Sequence, residues 1–217
     1  MIRMDLFTYI HKGLRRVLFE TALKVSETDF SAGGEDVLAG QAILRMLGFI
    51  EDHAMHEDSI IFPALNSVAP ELLEEIQAEH IGLEALQREL RRLVAQLRTA
   101  TELESLAIGK QLNESMCRLV ALQVAHMVRE EAEVNPVLWA HYSDAEIQLM
   151  RERIFDRTSE KRLMGWYALA LPAMNALERR ALLSGLHATM TLEQFERITA
   201  AARAELGERR WLAALTT

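Results

Sequence analysis

Apolar and polar positions alternate along the first two thirds of the chain with the period of long, one-sided helices. Phe7, His11, Leu14, Leu18, Thr21 and Val25 recur at steps of four and three, which predicts a helix over about Asp5 to Val25 with one face inward. The polar stretch Ser26 to Asp36, with Gly33-Gly34, ends it. A second helix is predicted from about Val37 to Asn66, with a seam of Ala42, Met46, Phe49, His53, Glu57, Ile60 and Ala64. Pro70 suits the first turn of a third, which runs to about Arg98 on Leu73, Ile76, His80, Leu83, Gln87, Leu90 and Leu97. Thr101 and Glu104 have the spacing of a capping box for a fourth, running to about Val134 on Leu112, Met116, Leu119, Gln123, His126 and Glu130. Four long amphipathic helices joined by short connections predict an all-α fold, an up-down-up-down antiparallel four-helix bundle.

Shorter helical patterns follow Pro136 and make a C-terminal helical extension. Ser143 with Glu146 opens a helix to about Phe155, Arg162 to Leu171 reads as another broken at Pro172, and Asn175 with Glu178 starts a third ending near His187. Thr191 with Gln194 starts the next, capped by Gly207, and a last short helix holds Trp211 and Leu212. Helices this short need a surface. They cover the bundle or form a dimer or partner contact, with Trp166, Tyr167 and Leu171 as anchors. The expected division is therefore a bundle over residues 1–140 and an extension over 141–217.

Composition supports helix and narrows the partners. Half of the 217 residues are hydrophobic, and only 4 Pro and 10 Gly interrupt them. The formal charge of −8 argues against nucleic acid as a partner. No apolar run is long enough for a membrane span, and Met1 to Ile10 lacks a signal-peptide layout. The single cysteine, Cys117, makes no internal disulfide. A cytoplasmic protein is the expectation.

The chemistry lies in the histidines. One stands on each long seam: His11, His53, His80 and His126. In an antiparallel hairpin, residues equally far from the turn lie at one height, because both helices rise equally per residue. The midpoint of His11 and His53 is position 32, that of His53 and His80 lies between 66 and 67, and that of His80 and His126 is 103. All three fall in predicted connections. The four rings are therefore expected at one level, facing inward, with Glu57 and Glu130 four residues after His53 and His126 on the same faces. One buried His beside a Glu is commonplace; four in one apolar layer would each need a partner. Four imidazoles and two carboxylates can instead hold two metal ions, and such a nitrogen and oxygen donor set suits iron, manganese or zinc. The two halves are alike: His11, His53 and Glu57, then His80, His126 and Glu130. A Glu-x-x-His di-iron site of the ferritin-like kind is not matched, since Ile50, Gln77 and Gln123 stand three before His53, His80 and His126.

His11, His53-x3-Glu57, His80 and His126-x3-Glu130, with Phe62-Pro63 after the second-helix motif, resemble the hemerythrin-like family, the HHE cation-binding domain. The resemblance covers roughly residues 1–140. It implies a four-helix bundle around a non-haem, oxo- or hydroxo-bridged pair of iron ions, with His11, His53, Glu57, His80, His126 and Glu130 as ligands and the two glutamates bridging. Where the invertebrate oxygen carriers have a second third-helix histidine, this chain has Glu84. Where they have an aspartate five after the last histidine, it has Glu131. The four-histidine, two-glutamate set is closer to bacterial members.

The expected function is a di-iron protein that binds or senses oxygen, nitric oxide or redox state, with manganese or zinc as substitute metals. The alternatives are a di-iron oxidoreductase acting on peroxide or nitric oxide, an iron-centre repair protein, and a metal-free helical interaction module. No membrane partner is expected. Glu79 and Glu84 stay open between a role at the centre and a solvated surface. His56 is expected on the surface or behind the ligands, Tyr9 in the core, and Cys117 as a buried thiol.

Overall fold

The computed structural model describes residues 3–31, 33–208 and 211, with the side chains of 189, 201 and 205 left aside. Every described regular element is helical. Helix α1 spans Thr8–Glu27 and α2 spans Glu35–His56. The latter continues through a π-helical turn, Glu57–Ile61, into α3, Phe62–Asn66. Helix α4 spans Pro70–Leu97, and α5 spans Glu102–Arg129. A second π-helical turn, Glu130–Val134, then leads into α6, Asn135–His141. Helix α1 packs on α2 and α5, and α4 packs on the same two, so the four long helices close into a ring.

The two π-turns are the main departure from the expected helices, and both begin at a seam glutamate. Pro63 and Pro136 each follow six residues after that glutamate. A proline has no N–H to give, and its ring clashes with the carbonyl four residues back. A wider turn avoids both problems: Phe62 N–H donates to Glu57 O and Asn135 N–H to Glu130 O, five residues back. The extra residue shifts the seam. The predicted continuation through Ala64 is corrected to Ile61 and Leu65, both buried. Single π-turns inside α-helices are frequent at functional sites.

Two apolar clusters fill the bundle, and the polar layer lies between them. The larger contains Leu14, Ile50, Leu83 and Met127; the other contains Phe7, Ile61, Ile76 and Val134. On α1 the order is Phe7, His11, Leu14; on α4 it is Ile76, His80, Leu83. His11 and His80 thus each stand one turn from both clusters. Where the chain packs tightest, glycines supply the room. A Cβ on Gly109 would stand 2.3 Å from the Phe30 ring.

The extension comprises α7 (Asp144–Arg157), α8 (Glu160–Ala173), α9 (Ala176–Thr189) and α10 (Leu192–Leu206). The boxes at Ser143, Asn175 and Thr191 form as predicted: the N–H of Glu146, Glu178 and Gln194 donates to each cap side chain. Helix α8 ends one residue past Pro172, close to the predicted break. Gly207 has φ +72° and caps α10. Leu212 lies outside the described residues. Helix α8 lies along α1, where a Cβ on Gly13 would stand 3.2 Å from Ala170 Cα. Trp166 and Leu169 join the larger bundle cluster, while Tyr167 and Leu171 face a separate cluster shared with α9 and α10. Arg162 pairs with Asp52 and lies over Phe49, and Lys12 pairs with Glu178. The extension therefore covers one side of the bundle. No described helix is long and apolar enough to cross a membrane.

Candidate metal centre

All six predicted residues meet in one buried layer. His11 Nε2 lies 3.0 Å from His53 Nε2, and His80 Nε2 lies 3.0 Å from His126 Nε2. Two nitrogens bound to one ion at right angles, at ordinary metal–nitrogen lengths of ~2.1 Å, stand about 3.0 Å apart. The carboxylates join the two pairs. Glu57 Oε1 is 3.0 Å from His53 Nε2, and its Oε2 is 3.6 Å from His80 Nε2. Glu130 Oε2 is 3.3 Å from His11 Nε2, and its Oε1 is 3.2 Å from His126 Nε2. Each glutamate gives one oxygen to each half. His11, His53, Glu57 and Glu130 form one group that could hold an ion; Glu57, His80, His126 and Glu130 form a second.

The oxygens themselves point to a cation. Glu57 Oε1 and both Glu130 oxygens are buried with no hydrogen-bond partner, although imidazole nitrogens stand close. Leaving a buried carboxylate oxygen without a donor costs about 1–3 kcal/mol or more, so three such oxygens facing four imidazoles in one layer suit a bound cation.

Burial and neighbours split the protonation of the layer. Burial holds His53 well below the usual histidine range, helped by the charge of His11. Burial and His126 hold His80 down. Burial also opposes charge on His11, but Glu130 and Glu131 outweigh it and raise the ring's pKa. At His126 burial is likewise overcome, here by Glu130 and Glu79. Burial and the charge of Glu130 push Glu57 well above the carboxylate range. Glu130 goes the other way: burial opposes ionisation, yet His11 and His126 hold it well below.

Outside the layer, two imidazoles are oriented through their far nitrogens. His11 Nδ1 lies 2.9 Å from Glu131 Oε1, and Arg15 donates to the same oxygen. His126 Nδ1 lies 2.8 Å from Glu79 Oε2, and Arg129 donates to the other Glu79 oxygen. A carboxylate accepting the outer N–H fixes the tautomer and leaves the inner lone pair free. Asp58 Oδ1 stands 3.5 Å from His80 Nδ1. Glu79 thus serves His126 on the facing helix rather than its neighbour His80. The Arg15–Glu131–His11 link spans 120 positions between His11 and Glu131 and left no local pattern.

Other residues fall differently from expectation. His56 is buried beneath α7 and pairs with Thr158 Oγ1 at 3.1 Å; the extension covers what would otherwise be surface. Tyr9 is exposed rather than in the core. Cys117 is exposed, not buried, because its position on α5 faces away from the ring. Glu84, open between the centre and a solvated surface, is exposed and pairs with Arg88.

Comparison with known proteins agrees with the geometry. The family model of the hemerythrin HHE cation-binding domain matches residues 4–138. A search of curated proteins and of solved structures finds no match. The matched span contains all six residues of the buried layer and both π-turns, and it takes up more than half of the chain. This chain belongs to the hemerythrin HHE cation-binding family.

Proposed function

We propose that this chain holds a pair of non-haem iron ions and uses them to bind or sense a small ligand such as oxygen or nitric oxide. His11 and His53 would hold one ion, His80 and His126 the other, with Glu57 and Glu130 bridging. The observation that carries this reading is the division of each buried carboxylate between the two histidine pairs. A bridging carboxylate has a reason to be shared in this way, whereas a carboxylate that merely satisfied one histidine would not. We also read the four long helices as alternating up and down, since only then do His11 near the start of α1 and His53 near the end of α2 reach one height. Residues 1–140 would be the metal-binding unit and 141–217 its covering extension, in a protein of the reducing cytoplasm.

The protein's own contributions are positioning and exclusion of water. With metal bound, Glu131 and Glu79 would accept the outer N–H of His11 and His126 and keep the inner nitrogens turned to the centre. Arg15 and Arg129 keep those carboxylates charged and in place. The apolar clusters on either side limit the water that reaches the layer, which strengthens the charge interactions in it. A bound pair of iron ions would supply one-electron redox change and coordination positions for a small ligand.

Metal analysis and optical spectra of anaerobically prepared protein test the reading. Two irons per chain, with a spectrum that changes on adding oxygen or nitric oxide, is the expected result. Failure of the chain to take up stoichiometric metal on reconstitution would overturn it.

A further inference from the structure

The extension does more than cover the bundle. Between it and the starts of α1 and the first π-turn lies a cavity of about 620 Å³ that reaches His53 and Glu57. Its walls are mainly apolar and include Phe7, Ile61, Ile154, Trp166 and Leu182. Sites for small organic ligands run from roughly 300 to 1,000 Å³ and are mostly apolar with a few placed polar groups. A two-atom gas needs a small fraction of this space. The far wall is built by α7, α8 and α9, all beyond the residue range that the family model matches.

The charges around the cavity leave one cation without a counter-charge. Asp5 accepts hydrogen bonds from Phe7 N–H, Thr8 and Asn135. Asp144 pairs with Arg3, whose remaining N–H groups donate to the carbonyls of Trp139 and Tyr142. Glu178 pairs with Lys12. Glu57 belongs to the metal layer. Arg151 lines the cavity with its guanidinium 5.6 Å from the Phe155 ring, and among the described residues it has no carboxylate partner. Tyr167 lines the same cavity, and its hydroxyl makes no hydrogen bond to another described residue. A guanidinium and a free hydroxyl beside apolar walls are suited to an acid group carried on a hydrocarbon body.

We propose that this chamber binds an organic anion with a hydrocarbon body, such as a medium-chain carboxylate, held by its acid group at Arg151 and Tyr167 and by its apolar part on the walls that adjoin the metal layer. The bound molecule then shares one chamber with the centre, which makes it the substrate or effector of that site. Only this last step rests on the di-iron reading; the binding itself does not.

Calorimetric titration of decanoate into the full-length chain, both metal-loaded and chelator-treated, tests the proposal. One saturable site per chain is expected in both forms. Arg151→Gln weakens it about tenfold, the loss of one charge-assisted contact at a partly solvated mouth. Leu182→Trp and Ile154→Trp, at half-buried wall positions, abolish it while leaving the helical circular dichroism and the metal content unchanged. Decan-1-ol binds about tenfold more weakly than decanoate and does not distinguish Arg151→Gln from the parent. The proposal is overturned by no saturable binding to the parent chain, by tighter binding of decyltrimethylammonium than of decanoate, or by binding indifferent to Arg151→Gln or to both tryptophan variants. It is equally overturned by binding that requires metal and ignores Arg151, which would place the acid group on the ions. Metal content of the same samples reports separately on the di-iron reading, so decanoate binding that survives chelation supports the chamber whatever the metal result.

Discussion

Replacing Glu57 with methionine separates the two demands on the buried layer, folding and metal binding. Glu57 is 1 % exposed, and its Oε1 has no hydrogen-bond partner. Burial and the neighbouring charge of Glu130 both disfavour its ionised form. In the metal-free protein this side chain is therefore a liability, and methionine of similar length fills the same space without a polar atom. Removing one unsatisfied buried oxygen recovers about 1–3 kcal/mol. Metal-free Glu57→Met is accordingly expected to be about 1–3 kcal/mol more stable than the metal-free parent. The stabilisation that metal gives the parent is expected to vanish, because both ions lose a shared ligand. Urea unfolding followed by circular dichroism, with chelator and with added ferrous iron, reads both quantities. A metal-free variant less stable than the parent by more than about 2 kcal/mol, or one that iron still stabilises as strongly as the parent, would refute the reasoning.

Three further outcomes follow from other contacts. Glu131→Gln and Glu79→Gln leave the fold intact but weaken metal binding about 10–100-fold, as read by competition with a chromophoric chelator; unchanged affinity would remove the orienting role given to these carboxylates. Gly13→Val is expected to cost about 1–3 kcal/mol by crowding Ala170, whereas Gly82→Ala, with open space around it, gains about 0.5–1 kcal/mol of helix propensity; equal effects on urea midpoints would deny the close α1–α8 contact. Burial opposes ionisation of Asp5, but hydrogen bonds from the Thr8 side chain, the Thr8 and Phe7 N–H groups and Asn135 outweigh it, so its folded pKa lies below the ordinary 3.8. The stability this contributes is fully present above about pH 4 and is lost as pH falls through the folded pKa. The stability difference between the parent and Asp5→Asn should shrink below that pH in chelator, and a difference that grows on acidification would reverse the sign.

Much of the centre is written in the sequence because the helix is a ruler. Constant rise per residue let the three midpoints place His11, His53, His80 and His126 at one level without any coordinate, and the seams of α1, α4 and α5 gave their facing. The π-turns were not legible in the same way. Period 3.6 carries the seam of the second helix past Glu57 to Ala64, while Pro63 forces the wider turn that buries Ile61 and Leu65 instead. A proline six residues after each His-x3-Glu was the available signal. The outer contacts of Glu131 and Glu79 cross between helices, so no spacing within one helix encodes them. His56 was misplaced because its burial depends on where the extension packs, and short amphipathic helices reveal that they need a surface but not which one.

The central claim is that two ions sit between two histidine pairs, joined by shared carboxylates. Its most direct test is the metal stoichiometry of anaerobically reconstituted protein beside that of two double variants, His11→Ala with His53→Ala and His80→Ala with His126→Ala. The account predicts two irons per parent chain and loss of iron in each variant, with the bridged-pair spectrum absent from both. Two irons retained in either variant, or a parent chain that takes up none, would contradict it.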